Sequence, residues 1–127
     1  MNEVLPRRET HYISPVSDSA RWDQFRGRDD DIFVCTPPRT GATWTQTLCY
    51  LLLFGWRDFT IYPADVSPWY DAIFHPVEDV IALLDAQDHR RLIKIHTPLD
   101  GIPFIPQSTY ICVYRDPRDV FFPCAII

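Results

Sequence analysis

The chain has 127 residues, a formal net charge of −5, and a composition that is 46% hydrophobic and 14% aromatic. This is the composition of a globular protein rather than a disordered or fibrous one, and the length allows one domain at most. The acidic balance argues against a nucleic-acid binder, and no apolar run is long enough to cross a bilayer. Because the first residues also lack the apolar core of a signal peptide, we expect a cytoplasmic protein.

The N-terminal extension is polar and carries few aromatic residues. Ser17 or Ser19 is expected to cap a short helix that presents Trp22 and Phe25 on one face. The charged run that follows, residues 26–31, is expected to be a solvated loop that leads into the first strand.

The most informative segment lies where an apolar strand pattern ends and a helical pattern begins. Residues 31–35 have the length and composition of a strand, and a long apolar stretch without Pro or Gly predicts a helix over 43–54. Residues 36–44, which we call the cradle loop, connect the two. A strand that turns sharply into a helix directs backbone N–H groups and the positive end of the helix dipole at one point, which suits a phosphate or a phosphosulfate.

Side chains in the cradle loop reinforce this interpretation. Arg39 supplies a cation, and Thr40 and Thr43 supply hydroxyl groups. The loop is not a strict P-loop, because that pattern needs two glycines and a Lys-Ser/Thr pair and only Gly41 is present. An ordinary strand-to-helix turn therefore stays open as an alternative.

The rest of the chain alternates between helices and strands. Residues 56–75 are aromatic and irregular, which fits either a packed connection or the wall of a pocket. Apolar residues at helical spacing predict a helix from Pro76, at its first position, to Asp85. Two more strands are expected at 91–95 and 109–114.

Asp116 and Pro117 are expected to cap and open a last helix.

Strands separated by helices predict an α/β fold, a parallel sheet of βαβ units with flanking helices. Ligands bind such sheets beyond the carboxyl ends of the strands. The cradle loop, Lys94 with His96, and Arg115 all fall at those ends. Each is ambiguous alone, since His96 could be a surface histidine and Arg115 could pair with a nearby aspartate.

The cysteines and histidines do not predict a metal site. Cys35, Cys49, Cys112 and Cys124 are widely spaced, and the first three lie in apolar patterns. We therefore expect buried, reduced cysteines rather than a disulfide or metal framework.

Three motifs resemble those of a known family. Residues 37–44, Pro-Pro-Arg-Thr-Gly-Ala-Thr-Trp, are similar to Y-P-K-S-G-T-T-W; residues 94–98, Lys-Ile-His-Thr-Pro, to K-T-H-x-P; and residues 115–120, Arg-Asp-Pro-Arg-Asp-Val, to R-[ND]-P-[KR]-D-V. With these motifs in this order, residues 22–122 resemble the N-terminal half of the cytosolic-type sulfotransferases. That family transfers a sulfuryl group from 3′-phosphoadenosine 5′-phosphosulfate (PAPS) to a hydroxyl or amine.

The resemblance implies a truncated P-loop NTPase-like sulfotransferase fold. Residues 1–30 would be an extension, 31–122 the N-terminal part of the domain, and 123–127 a divergent tail. His96 would be the general base, while Lys94 and Arg39 would offset charge on the transferring group.

The resemblance also implies where the two substrates bind, with PAPS as co-substrate and no metal. Trp69 and Tyr70 would lie on the side of a small-molecule acceptor. The residues implied to bind PAPS are Arg39, Thr40, Gly41, Ala42, Thr43, Trp44 and Arg115.

The chain departs from the family pattern at several positions. Arg39 stands where the family has Lys, Ala42 and Ile95 each stand where it has Thr, and Pro123 where it has Ser. We expect Pro123 to remove a donor to the 3′-phosphate and to block the helix begun at Pro117.

Relative to the family pattern, the chain also ends early. The family's later nucleotide contacts and its dimerisation segment would be absent, and apolar surface would be left exposed. A frameshift or a gene fragment would produce the tail, and we expect little or no activity. A non-catalytic nucleotide- or phosphate-binding module is the alternative, and an ATP- or GTP-dependent kinase is disfavoured by the missing Gly-Lys-Ser/Thr.

Overall fold

A computed structural model describes residues 7–55 and 62–125, and the side chains within them up to residue 121. Among these residues, three short strands alternate with helices, as the sequence predicts. The predicted strands are one or two residues longer than those observed. The strands are β1 (Ile32–Cys35), β2 (Leu92–Ile95) and β3 (Thr109–Cys112); the helices are α1 (Ala42–Phe54), α2 (Pro63–Val66), α3 (Val77–Asp85) and α4 (Pro117–Ala125), with 3-10 helices at Ser19–Gln24 and Leu99–Gly101.

The strands form a parallel sheet in the order β2-β1-β3. At its amino edge Ile32 is in register with Leu92 and Thr109. At the opposite edge Cys35 is in register with Ile95 and Cys112, so the three carboxyl ends are level. The predicted α/β fold with a parallel sheet is therefore confirmed.

Both faces of the sheet are covered by apolar side chains. Residues alternate along β1, so Ile32 and Val34 face α1 while Phe33 and Cys35 face the opposite side. Phe33 and Val34 have no exposed surface. The α1 side is completed by Cys49, Leu53, Leu92 and Ile111; the opposite side contains Trp22, Tyr70, Val77, Val80, Leu84, Ile93, Ile95 and Ile102.

The N-terminal helix differs from the sequence prediction in type and cap. It is a 3-10 helix, and the side chain of Asp18 caps it by accepting from the Ala20 N–H at 2.8 Å. Ser19 is the first helical residue, and its hydroxyl accepts from the Tyr12 N–H instead. Asp18 lies in the extended conformation that an N-cap requires, and its carboxylate is the stronger acceptor.

Two proline predictions were also wrong in detail. Pro76 is the N-cap of α3 and not its first residue. The predicted block at Pro123 does not occur, because α4 continues through it to Ala125. A proline inside a helix removes one hydrogen bond and crowds one carbonyl, which bends a helix more readily than it ends one. The predicted cap of α4 is present, since Asp116 accepts from the Arg118 N–H at 2.9 Å.

An ion pair is buried at the amino edge of the sheet. Asp31, predicted to belong to a solvated loop, is fully buried, and Arg91 is almost so. The Arg91 Nε and Nη2 atoms donate to the two Asp31 oxygens at 2.7 Å each. The prediction fails at Asp31 because its partner lies 60 residues away, immediately before the strand that pairs with β1.

The outer face of α1 carries exposed apolar side chains. Trp44, Leu48 and Leu52 recur every four residues, and their exposed fractions are 75%, 55% and 87%. Within the described ranges, none of the helices has the length and apolar character needed to span a membrane.

Candidate functional site

A cleft of about 800 Å³ opens at the carboxyl edge of the sheet. It brings together the cradle loop, Lys94 with His96, and Arg115, which are the three places where the sequence predicted a site. One wall is the cradle loop with the start of α1, the floor is the end of β2, and Arg115 closes one side. The sequence-predicted residues that line it are Arg39, Gly41, Ala42, Thr43, Trp44, Lys94, His96 and Arg115.

The cradle loop reaches α1 through two residues with left-handed backbone. Arg39 has φ 61°, which is uncommon for a residue with a Cβ, and Gly41 has φ 107° at the N-cap of α1. Gly41 suits this position because glycine adopts positive φ without steric cost. The N–H groups of the first turn of α1, which have no acceptors within a helix, lie at the cleft wall.

Thr40 is not among the residues that line the cleft. Its side chain is buried, and its hydroxyl donates to the Pro37 carbonyl at 2.7 Å. The Thr40 hydroxyl thus closes the cradle loop on itself. Thr43, the other predicted hydroxyl, does line the cleft.

Arg115 faces the cradle loop from the end of β3. Its guanidinium is exposed, and Nη1 lies 3.5 Å from the Arg39 carbonyl oxygen. Asp116 and Asp119 are the two aspartates that could have paired with it. Asp116 pairs instead with Arg118 at 2.7 Å, and the ion pairs among the described side chains do not include one between Arg115 and Asp119. Arg115 is therefore directed along the cleft rather than into an ion pair with its neighbour.

The His96 ring is held in one tautomer. Its Nδ1 lies 2.5 Å from the carbonyl oxygen of Thr36, at the end of β1. Since a carbonyl oxygen can only accept, Nδ1 carries the proton and Nε2 of the neutral ring has a lone pair. A lone pair held at a fixed position in a cleft is what a general base requires.

The surroundings of His96 keep its ring neutral. Burial has the largest effect and lowers the pKa of the imidazole, and the nearby Lys94 ammonium lowers it further. The hydrogen bond to Thr36 and the Asp71 carboxylate raise the pKa but do not offset the lowering. The ring also packs edge-to-face on Trp69, with centroids 4.7 Å apart. At neutral pH the ring is therefore available to accept a proton.

Asp71 fixes the backbone that carries His96, and sequence analysis missed it. Its buried carboxylate accepts from the His96 N–H at 3.2 Å and the Thr97 N–H at 2.8 Å, and also from the Thr97 hydroxyl. Asp71 is the single acid among residues 69–74, which are otherwise aromatic or apolar, and this was the available signal. Because charged groups are rarely buried without partners, an acid in an apolar run predicts a polar anchor.

Lys94 lies at the floor of the cleft beside Trp69. Its ammonium is 5.0 Å from the centroid of the Trp69 ring, within the range of a cation–π contact. Burial lowers the pKa of the Lys94 ammonium, while the Asp71 carboxylate opposes that shift. Lys94 and His96 line the same cleft because they are two residues apart, and alternate residues along a strand project to the same side.

The wall opposite the cradle loop comes from the N-terminal extension, which the sequence did not place there. Residues 13–17 are tied to residues 69–74 by a bridge between Ser17 and Ala72 and by an Ile73 N–H to Val16 carbonyl bond of 3.0 Å. Ile13 and Val16 line the cleft with exposed fractions of 71% and 40%. This wall is mostly apolar, although Ser14 and Ser17 also line it.

The sequence left open whether the aromatic residues 56–75 form a packed connection or the wall of a pocket, and the described part of this segment does both. Trp69 lines the cleft, but Tyr70 is fully buried in the core, where its hydroxyl donates to the Arg21 carbonyl at 3.1 Å. The expectation that Tyr70 lies on the acceptor side is therefore wrong, because strand-like alternation sends it to the opposite face. Trp56 and Phe59 of the same segment lie outside the described residues.

Two of the three predicted core cysteines are buried. Cys35 and Cys49 are buried, whereas Cys112 is exposed because β3 is the sheet edge and its carboxyl end opens on a cleft. Cys124 has no described side chain.

Within the described side chains, no group of three or more His, Cys, Asp or Glu residues is arranged to hold a metal ion.

The tautomer and the pKa of His96 give a direct test. We expect the ring to titrate below 6.5 in the folded chain, with its proton on Nδ1, because burial disfavours the imidazolium. Since the unfolded chain then takes up the proton first, the stability linked to this group is full above pH 6.5 and is lost as pH falls.

Nitrogen-detected NMR of the ring, compared with the same ring in the urea-unfolded chain, measures both properties. A folded-state pKa above the unfolded value, or a proton on Nε2, would contradict this assignment.

Comparison with known proteins agrees with the geometry. A model of the sulfotransferase domain matches residues 29–122. A glycolipid sulfotransferase of Mycobacterium tuberculosis is 50% identical over 108 residues, which cover 85% of this chain and 33% of that protein. An amine sulfotransferase of Oryctolagus cuniculus is 33% identical over 104 residues, or 77% of this chain and 33% of that protein.

More distant relatives align over a similar part. A cytosolic sulfotransferase of Arabidopsis thaliana is 30% identical over 115 residues, covering 78% of this chain and 32% of that protein. The chain spans about a third of the length of the curated relatives it matches.

Proposed function

The chain belongs to the sulfotransferase family, and from that premise we propose that its cleft binds the phosphosulfate end of PAPS and presents it to an acceptor hydroxyl. One observation carries the proposal. The cradle loop, Arg115 and the His96 ring, from the ends of three different strands, line a single cleft. An anion site and a neutral base side by side fit the transfer of a charged group to a hydroxyl.

The donor would bind along the cradle loop. The N–H groups at the start of α1 and the Arg39 guanidinium would hold the phosphosulfate oxygens. Arg115, with its planar fork, would bind the 3′-phosphate, and the exposed ring of Trp44 would stack near the adenine. Thr40 would contribute through its backbone, since its hydroxyl is used within the loop.

The transfer would use His96 and Lys94. His96 Nε2 would take the acceptor's proton while the acceptor oxygen forms its bond to sulfur and the bond from sulfur to the bridging oxygen breaks. Lys94 and Arg39 would offset the negative charge that develops on the sulfuryl and bridging oxygens. The half-buried position of Lys94 strengthens this effect, because charges interact more strongly away from water.

The acceptor would bind between His96 and the apolar wall. Ile13, Val16 and Trp69 line the cleft there, and Ile13 and Val16 are exposed. A small acceptor with an apolar part suits this wall, and the relative that is 50% identical is named a glycolipid sulfotransferase. We therefore propose a hydroxyl of a glycolipid as the acceptor. An amine is the alternative acceptor, because the relative from Oryctolagus cuniculus is named an amine sulfotransferase.

The domain organisation and the cellular location of the chain are also part of this proposal. Residues 31–122 would be the N-terminal part of the catalytic domain, 1–30 an extension that also builds the acceptor wall, and 123–127 a divergent tail. A cytoplasmic location is proposed because two relatives, from Danio rerio and Arabidopsis thaliana, are named cytosolic sulfotransferases.

Two measurements on the chain test the proposal. Calorimetry with 3′,5′-adenosine bisphosphate measures donor-site binding, and transfer of labelled sulfate from PAPS to a panel of acceptors that includes a glycolipid measures turnover. Binding together with transfer supports the proposal. Binding without transfer would favour the alternative, a non-catalytic nucleotide-binding module, and absence of binding would contradict both.

Arg115 offers a prediction for the donor site alone. Replacing it with Ala should weaken binding of 3′,5′-adenosine bisphosphate by about 10- to 100-fold, since a hydrogen bond to a charged group contributes about 1.5–3 kcal/mol. Arg118→Ala is the matched control, because Arg118 pairs with Asp116 and lies outside the cleft. Equal losses in the two variants would show that only general charge attraction is involved.

A further inference from the structure

Two cysteines are neighbours at the carboxyl edge of the sheet. Cys35 ends β1 and Cys112 ends β3, and the two are register partners. Adjacent strands lie about 4.8 Å apart, and partners in parallel strands project from the same face. The separation falls within the range of Cα distances, about 4.4–6.8 Å, that a disulfide spans.

Both cysteines are reached from solvent through a second cleft. This cleft, of about 510 Å³, is lined by Cys35, Cys112, Thr36 and His96 among others, on the side of the sheet that faces away from α1. Cys112 is exposed, while Cys35 is 8% exposed. A small reagent in the cleft therefore meets Cys112 first, with Cys35 behind it.

The two thiols also influence each other. Burial raises the pKa of the Cys35 thiol, and contact with Cys112 raises it further. The register of β1 and β3 places the two side chains next to each other on one face of the sheet. Cys49, the other buried cysteine, lies on the α1 side of the sheet and is separated from the pair.

We propose that Cys35 and Cys112 form a dithiol modification site, which low-molecular-weight disulfides such as oxidised glutathione convert to an intramolecular disulfide. The Cys112 thiolate attacks one sulfur of the reagent, forms a mixed disulfide and releases one glutathione thiolate. The Cys35 sulfur then attacks the Cys112 sulfur, and the second glutathione leaves as a thiol with the Cys35 proton. Two protein thiols are oxidised and one disulfide reagent is reduced.

The position of the pair connects it to the candidate active site. Cys35 is followed by Thr36, whose carbonyl orients His96, and Cys112 is three residues before Arg115. The disulfide would join the two strand ends that carry the cradle loop and Arg115. Its formation would therefore make the geometry of the cleft depend on the thiol–disulfide balance.

Peptide mapping of the wild-type chain after treatment with oxidised glutathione tests the proposal. We expect a linked pair of peptides that contain Cys35 and Cys112, an intact mass lower by two hydrogen atoms, and full reversal by dithiothreitol. A lasting glutathione adduct on Cys112 with Cys35 still free would overturn the proposal. A bond from Cys112 to Cys124, or no reaction at either cysteine, would overturn it as well.

Two variants make the result specific. Cys112→Ser should abolish the disulfide and leave Cys35 unmodified, and because Cys112 is exposed the variant should keep its circular-dichroism spectrum. Cys49→Ser is the matched control and should form the disulfide as the wild type does. Loss of the disulfide in Cys49→Ser, with the fold intact, would count against the pair.

Discussion

Replacing His96 with Gln is expected to lower the rate of sulfuryl transfer by about 10²- to 10⁴-fold, which is the usual contribution of a general base. Gln is similar in size to His, and its side-chain N–H group can still donate to the Thr36 carbonyl. It has no nitrogen that can accept a proton near neutral pH, so the variant removes the chemistry and preserves the shape of the cleft. Single-turnover transfer from labelled PAPS, relative to the wild-type chain, measures the effect.

Two controls separate catalysis from binding and folding. Affinity for 3′,5′-adenosine bisphosphate should be unchanged in His96→Gln, because the proposed donor contacts come from the cradle loop and Arg115. His75→Gln, at an exposed histidine outside the cleft, should transfer at the wild-type rate. A rate unaffected by His96→Gln, or an equal loss of donor affinity, would show that His96 is not the base.

The pH dependence of transfer should follow the same group. Because burial lowers the pKa of His96, the wild-type rate should stay constant from neutral pH down to about 6.5 and fall below it. The fall occurs because the imidazolium has no lone pair to accept the acceptor's proton. The titration of the ring described above gives an independent value for comparison.

The sheet and the position of the cleft were predictable from the sequence. A short apolar run before a loop and a helix identifies a strand and its direction from local information alone. Once the strands are taken as parallel, their carboxyl ends must meet at one edge. The convergence of the cradle loop, Lys94 with His96, and Arg115 follows from that rule, without knowledge of any side-chain contact.

The parts that could not be predicted depend on contacts between distant segments. Asp71 is 25 residues from His96, and only the fold brings its carboxylate to the His96 N–H. The apolar wall of residues 13–17 depends on pairing with residues 69–74, and neither segment has a strand pattern. The exposure of Cys112 depends on the strand order, because the residue pattern of an edge strand resembles that of a central one.

Asp31 is a further case of this kind, and its removal should have a large effect on stability. Asp31→Ala is expected to lower the free energy of unfolding by about 3–5 kcal/mol, the usual cost of leaving one member of a buried ion pair without its partner. The Asp31 carboxylate accepts from Arg91 twice and from the Arg28 N–H at 2.8 Å. The side chain of Arg91 is only 2% exposed. Without Asp31, its guanidinium would keep two contacts: the hydrogen bond to the Arg26 carbonyl at 2.9 Å and the more distant ion pair with Asp85.

The double variant Asp31→Ala with Arg91→Met distinguishes the unpaired charge from lost packing. Because it removes both charges and retains an apolar side chain of similar length, it should recover most of the loss. Asp29→Ala, at an exposed position in the same charged run, should stay within about 0.5 kcal/mol of the wild type. Urea unfolding followed by tryptophan fluorescence measures all four chains.

If Asp31→Ala does not fold but the double variant does, the loss of stability is still explained by the unpaired charge of Arg91. A double variant less stable than Asp31→Ala would show instead that Arg91 stabilises the chain through its other contacts, and that its unpaired charge is not the cause of the loss. In that case the amino edge of the sheet would depend on the contacts of Arg91 with the Arg26 carbonyl and Asp85, and not on avoiding an unpaired charge.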